Sequence, residues 1–234
     1  MSQWTSEQLQ QMLSERDPHA LFRRAVDLVQ LFEMDFLGMT LHLHLAGHDP
    51  QIILHSNYPR GWIEAYRDCN FVSIDPVITQ CRKSTLPLLW HDDLYNEVPL
   101  LREAACAHGL KHGWTQSLYD MRHNECQLSV ARPTTPVSNF ELYEKGAQIM
   151  WLCQVLHAVF SEHYLTCNGS APHLSKRELE VIKWSAEGKI AEDVAKILSL
   201  STSTVNFHIR SVIQKTNTTN KVAAIVNVVR HGLL

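Results

Sequence analysis

The chain has 234 residues, 45% of them apolar and 19% charged. That balance suits packed globular domains and excludes a disordered chain, which lacks the apolar surface to offset its ordering entropy. No apolar run approaches the roughly 18 residues of a membrane span. The polar, acid-bearing start MSQWTSEQLQQMLSERD does not resemble an export signal. A cytoplasmic protein without membrane contact is expected. The length fits one or two domains, and the charge divides it. Residues 1–172 carry 12 basic against 19 acidic side chains, and residues 173–234 carry 9 against 5. A basic quarter on an acidic body points to two modules, one of which meets a polyanion. Six scattered cysteines with no C-x-x-C pair argue for free thiols, not a disulfide framework or a zinc site.

Apolar residues at helical spacing (Leu13, Leu21, Phe22, Val26, Val29) predict helix between Gln8 and Phe32. Gly38 to Leu45 alternates strictly, with Met39, Leu41, Leu43 and Leu45 on one face and Thr40, His42 and His44 on the other. That is a half-buried strand, with Gln51–His55 as its hairpin partner. Asp75–Arg82 and Val98–His108 read as short helices, and Trp114–Tyr119 and Cys126–Arg132 as strands. Ser138 opens a long helix to about Tyr164, with Glu141 completing an S-x-x-E capping box. The expected fold is α+β: an N-terminal α-β-α sandwich, its antiparallel sheet between helix layers, over residues 1–165. A linker at 166–173, rich in Pro, Gly and small polar residues, precedes an all-α module at 174–234.

That module reads as four short helices. Ser175 and Glu178 form a capping box, Gly188 stops the first helix, and Val194–Leu198 forms the second. Ser201 caps a third helix running to about Gln214, and Asn220 a fourth ending at Gly232. The short connection between the second and third helices is the layout of a helix-turn-helix unit, whose second helix enters the DNA major groove. Ser201, Thr204, Asn206 and Arg210 lie at the start and polar face of that helix, where Asn reads adenine and Arg reads guanine or phosphate. Lys189, Lys215 and Lys221 sit at helix ends and flanks suited to the phosphate backbone.

L-S-K-R-E-L-E-V-I-K-W-S-A-E-G-K, A-K-I-L-S-L-S-T-S-T-V-N-F-H-I-R and N-K-V-A-A resemble the DNA-binding domain of LuxR-type transcription regulators over nearly all of 174–234. One departure is Ile190, where family members place Ser or Thr; the missing cap costs about 1 kcal/mol and predicts weaker DNA binding. Upstream, Asn57-Tyr58-Pro59 with Trp62 and Tyr66, then Ile74-Asp75-Pro76, then Pro87 with Trp90, resemble the autoinducer-binding domain of quorum-sensing members.

The resemblance implies a ligand, an N-acyl homoserine lactone, and no cofactor or metal. Trp62 would donate to the lactone carbonyl, Asp75 accept from the amide N–H, and Tyr58 donate to the amide carbonyl with Ser129 assisting. Tyr66 and Trp90 would wall the pocket. No motif fixes the acyl tail, for which Leu41, Leu43 and Val77 are candidates. Taken alone, Asp75-Pro76 read as a helix cap and the aromatics as core; the ligand reading comes from their combination with the tyrosine, both tryptophans and the attached helix-turn-helix. The implied partners are palindromic promoter DNA, a second copy of the chain and RNA polymerase. Ser138–Tyr164 and Asn220–Leu233 are the candidate dimer surfaces. An orphan regulator answering foreign lactones or another amphiphile is the alternative. His42, His44, His48 and His55 lack a third ligand at characteristic spacing and read as polar residues beside a cavity. No nucleophile elbow, Walker loop or G-x-G-x-x-G occurs, and an enzyme is not expected.

Overall fold

The computed structural model describes residues 4–43, 51–167 and 172–234, without the side chains of 165–167. His44, Leu45, His48 and residues 168–171 of the predicted linker lie outside the described residues. The chain divides into two compact units, one built on a sheet and one on the last four helices.

The first unit opens with α1 (Ser6–Ser14) and α2 (Pro18–Gln30). The periodicity suggested one helix here, but Asp17 and Pro18 divide it. The Asp17 carboxylate accepts from the backbone N–H groups of His19 and Ala20, and Pro18 occupies the first helical position. Strands β1 (Phe36–Leu43), β2 (Gln51–Ser56), β3 (Leu88–Leu89), β4 (His112–Tyr119) and β5 (Glu125–Arg132) form one sheet in the order β2-β1-β5-β4-β3. The registers of β1 on β5, β5 on β4 and β4 on β3 are antiparallel.

Period-two alternation gives this sheet two unlike faces. Leu37, Met39, Leu41 and Leu43 are fully buried on one of them, beside Cys126, Leu128, Val130 and Trp114 from β5 and β4. The long α6 (Asn139–Cys167) covers that face, with Cys153 Sγ lying 3.8 Å from Cys126 Sγ and Phe160 packing edge-on against His55. Trp4 stacks on Phe32 and touches Trp151, adding the N-terminal segment to the same layer. The other face is polar. Its cross-strand rows are Gly38, Ser129 and Thr115, then Thr40, Gln127 and Ser117, then His42, Glu125 and Tyr119. Over it lie α3 (Arg60–Asp68), α4 (Pro76–Cys81) and α5 (Pro99–Ala107), which with their connecting segments carry a second cluster of Trp62, Phe71, Val77, Tyr95, Leu101 and Leu110. The expected α-β-α sandwich is therefore present.

The start of α6 differs in detail from its motif. Ser138 Oγ does accept from the Glu141 N–H at 3.1 Å, but the Glu141 carboxylate is taken by Arg132 and Lys145. Arg132 grips it with two N–H groups, tying the end of β5 to α6.

The second unit comprises α7 (Lys176–Ala186), α8 (Ala191–Leu198), α9 (Thr202–Lys215) and α10 (Lys221–Arg230). Ser175 and Glu178 make the reciprocal capping box. Gly188 follows α7 at φ +82°, a conformation open to glycine at little cost. Ile190 is the N-cap of α8 and makes no side-chain cap bond, whereas Ser201 caps α9 at the Thr204 N–H. Val181, Val194, Val205 and Ile209 form one apolar cluster, and Ile182, Val212, Ala224 and Val228 another. Glu178 is buried between α7 and α9. Burial alone would raise its pKa, but hydrogen bonds from Lys215, Ser211 and Ser175 hold it at about 2.

Two expectations follow, both read by urea unfolding with hydrogen exchange in α7, α8 and α9. Threonine in place of Ile190 supplies the missing cap and stabilises this unit by about 1 kcal/mol. Glu178→Gln destabilises it at neutral pH by about 2 kcal/mol, a figure reduced because Lys215 is partly solvent-screened. The folded pKa lies below the unfolded one, so this contribution is complete above the usual carboxylate range. It disappears as pH falls toward about 2.

Candidate functional site

A cavity of about 360 Å³ lies between the polar face of the sheet and the α3–α5 layer. Tyr58, Trp62, Tyr66, Asp75, Trp90 and Ser129 all line it. Residues from distant parts of the chain thus line one cavity.

Asp75 sits at the N-cap of α4. Its Oδ1 accepts from the Val77 N–H at 2.8 Å, and its Oδ2 accepts from the Tyr66 hydroxyl at 2.9 Å. Helix cap and cavity acid are therefore the same group, and the two readings of Asp75-Pro76 do not compete. A carboxylate offers about four lone-pair positions, so two bonds leave capacity for a further donor. Burial pushes the Asp75 pKa up, opposed by the hydrogen bonds from Tyr66 and the α4 backbone. The Tyr66, Tyr58 and Tyr95 hydroxyls are held protonated, first by burial and also by the Asp75 charge. The cavity thus pairs one acid with neutral phenols that act as donors.

Trp62 is 8% exposed and tilts against the Tyr66 ring one turn along α3. Its indole N–H has no hydrogen-bond partner among the described residues. The Trp90 indole donates to Thr115 Oγ1 at 3.0 Å, and that hydroxyl shares a hydrogen with Ser129 Oγ at 2.9 Å. The Ser129 hydroxyl draws the Tyr58 pKa down against its burial. A polar chain thus runs Trp90–Thr115–Ser129 along one wall. Trp90 serves as a wall whose N–H is already committed, and Trp62 carries the available indole donor.

Gly38 makes this arrangement possible. A Cβ there would stand 2.2 Å from the Tyr58 hydroxyl oxygen and 2.4 Å from its Cζ. The tyrosine ring rests directly on bare strand backbone.

Val77 lines the cavity, but Leu41 and Leu43 do not. Strand alternation turns those two leucines onto the α6 face, while Gly38 and Thr40 face the cavity. The apolar wall comes instead from Leu54, Ile63, Val77, Ile78, Leu101 and Leu110. Tyr95 and Gln127 line the cavity with no local motif, and Thr115 supports that wall through its bonds to Trp90 and Ser129. Strand register alone brings Thr115 and Gln127 to the face, and the 3₁₀ turn at Asp92–Tyr95 brings Tyr95. His42 is half-buried beside Glu125, and burial lowers its pKa.

In the helical unit, α9 presents Ser203, Asn206, Phe207, Arg210 and Gln214 outward, while Val205, Ile209 and Val212 face the core. Asn206 and Arg210 thus share an open face. Thr204 is partly covered and bonds Ser201 through their hydroxyls at 2.8 Å. Lys189 is exposed in the turn before α8, and Lys221 begins α10. Lys215 is placed otherwise. Its Nζ lies 2.8 Å from the buried Glu178 carboxylate, so its first role is to neutralise that charge.

Comparison with known proteins matches residues 17–160 to the autoinducer binding domain, and residues 172–228 to the bacterial regulatory proteins of the luxR family. The regulatory protein SdiA of Escherichia coli is 34% identical over 208 residues, covering 88% of this chain and 86% of its own. The transcriptional activator protein SolR of Ralstonia nicotianae is 31% identical over 221 residues, covering 94% of each chain. The solved structure of SdiA in complex with octanoyl-rac-glycerol superposes with a TM-score of 0.79 at 30% identity, over 99% of this chain and 98% of that one. Both units carry family matches, and the full-length relatives are regulators of transcription. The chain belongs to the LuxR-type quorum-sensing transcriptional regulators, with an autoinducer-binding domain followed by a helix-turn-helix domain.

Proposed function

We propose that the chain binds an N-acyl homoserine lactone in the sheet cavity and, as a homodimer, binds palindromic promoter DNA through α9. The observation that carries this reading is the single cavity in which an indole donor, a buried acid and a tyrosine–serine pair face apolar walls. A lactone carbonyl suits the Trp62 N–H. The ligand's amide N–H suits Asp75, and its amide carbonyl suits the Tyr58 hydroxyl backed by Ser129. Each pairing gives a buried polar group the partner it needs. The acyl chain lies along Val77, Ile78, Leu54 and Ile63.

The ligand completes the core, so it stabilises the folded sensor by mass action. The dimer then sets two α9 helices about one DNA turn apart. Val222, Val226 and Val229 form an exposed apolar stripe on α10, and Phe140, Tyr143 and Met150 are exposed on α6; these are the surfaces a second copy would cover. Asn206 and Arg210 supply base contacts, while Lys189 and Lys221, with Ser201 at the helix start, supply backbone contacts. Among the described residues no helix is long and apolar enough to cross a membrane, and the protein acts in the cytoplasm on the promoter. A second reading takes its support from the SdiA complex with octanoyl-rac-glycerol: the cavity accepts another acylated amphiphile of that kind.

Soluble yield of the full chain expressed with acyl lactone, with octanoyl glycerol or with neither tests the ligand. Yield that rises with lactone alone supports the first reading, and yield indifferent to all three removes both. Asp75→Asn weakens the lactone response at least tenfold while the chain stays folded by circular dichroism. Gly38→Ala displaces the Tyr58 ring and weakens the response to a similar degree. Arg210→Ala abolishes retention of a promoter duplex in a gel-shift assay and leaves lactone-dependent solubility intact.

A further inference from the structure

The polar face of the sheet continues past the residues that hold the ligand's head. One row beyond Gly38–Ser129–Thr115, about 7 Å along the strands, stand Thr40 and Gln127, and both line the cavity. Their setting fixes what they offer. One N–H of Gln127 Nε2 donates to the buried carboxylate of Glu125, which in turn pairs with Arg82 at 3.5 Å. The amide is therefore anchored with its carbonyl oxygen free of any partner among the described residues, and the Thr40 hydroxyl is likewise unengaged. The aliphatic lining of the cavity includes Leu54 on the neighbouring strand β2, with Ile63, Val77 and Ile78 from the helices.

A plain alkyl tail would satisfy the aliphatic wall but strip water from Thr40 and Gln127 without replacing its hydrogen bonds. A tail with one hydroxyl at this depth meets both walls. Its O–H donates to Gln127 Oε1, and its oxygen accepts from the Thr40 hydroxyl. We infer that the ligand is an acyl chain hydroxylated in its distal half, several carbons beyond the amide. This rests on the acyl-lactone reading above and narrows the ligand class within it.

The test compares hexanoyl and ω-hydroxyhexanoyl homoserine lactones, which share head and chain length. The measured quantity is the concentration giving half-maximal thermal stabilisation of the full chain. The hydroxylated lactone is expected to act at about tenfold lower concentration. Thr40→Val should bring the two lactones near parity, and Gln127→Leu should make hexanoyl the better ligand. The ratio within each variant is the readout, so a general loss of stability leaves it interpretable. If the unmodified chain answers hexanoyl equally well or better, or neither variant moves the ratio, the inference falls and the lactone reading stands. If neither lactone stabilises the chain, both fall.

Discussion

The sheet separates two chemistries by the alternation of its strands, and the sensor unit depends on that separation. One face is built of Leu, Met, Val and Trp and is closed by α6; the other is built of Gly, Thr, Ser, Gln and Glu and is left open enough to hold a cavity. The apolar face anchors the sheet by burial, the main favourable contribution to folding. The polar face then needs hydrogen-bond partners: Thr115 finds them in Trp90 and Ser129, and Gln127 in Glu125. A one-residue slip of β1 against β5 would exchange the faces, place leucines in the cavity and bury hydroxyls under α6. Register is thus the constraint on which binding chemistry rests.

The same economy governs the cavity's polar groups. Asp75 starts α4 and keeps lone pairs in reserve, so the group that positions the helix also carries recognition. Thr115 and Ser129 bond one another and hold the Trp90 ring through hydroxyls that contribute little bulk. In the helical unit Glu178 plays a comparable part, closing the α7 cap and holding α9 through Ser211 and Lys215.

Much of this was legible in the sequence wherever the signal was local. The caps at Ser175, Ser201 and Asn220, the stop at Gly188, the alternation of β1 and the aromatic motif around Trp62 and Tyr66 all act within a few residues. The Asp17-Pro18 break was as local but was masked by apolar spacing that ran across it. What escaped depended on register and on tertiary partners. Leu41 and Leu43 carried the right chemistry for an acyl tail on the wrong face. Tyr95 and Gln127 reach the cavity, and Thr115 reaches Trp90 and Ser129, through the packing of distant segments, and no short motif encodes that. Glu141 and Lys215 matched surface patterns, a capping box and a phosphate contact, yet each is claimed by a buried opposite charge from elsewhere in its unit.

The contact between Gly38 and Tyr58 couples two positions twenty residues apart into one volume. Any side chain gained at the strand has to be matched by a ring lost at the loop, so neither site is able to drift independently. Within this architecture, a lineage that outgrows the glycine must surrender the phenol. It would then have to answer a differently shaped signal.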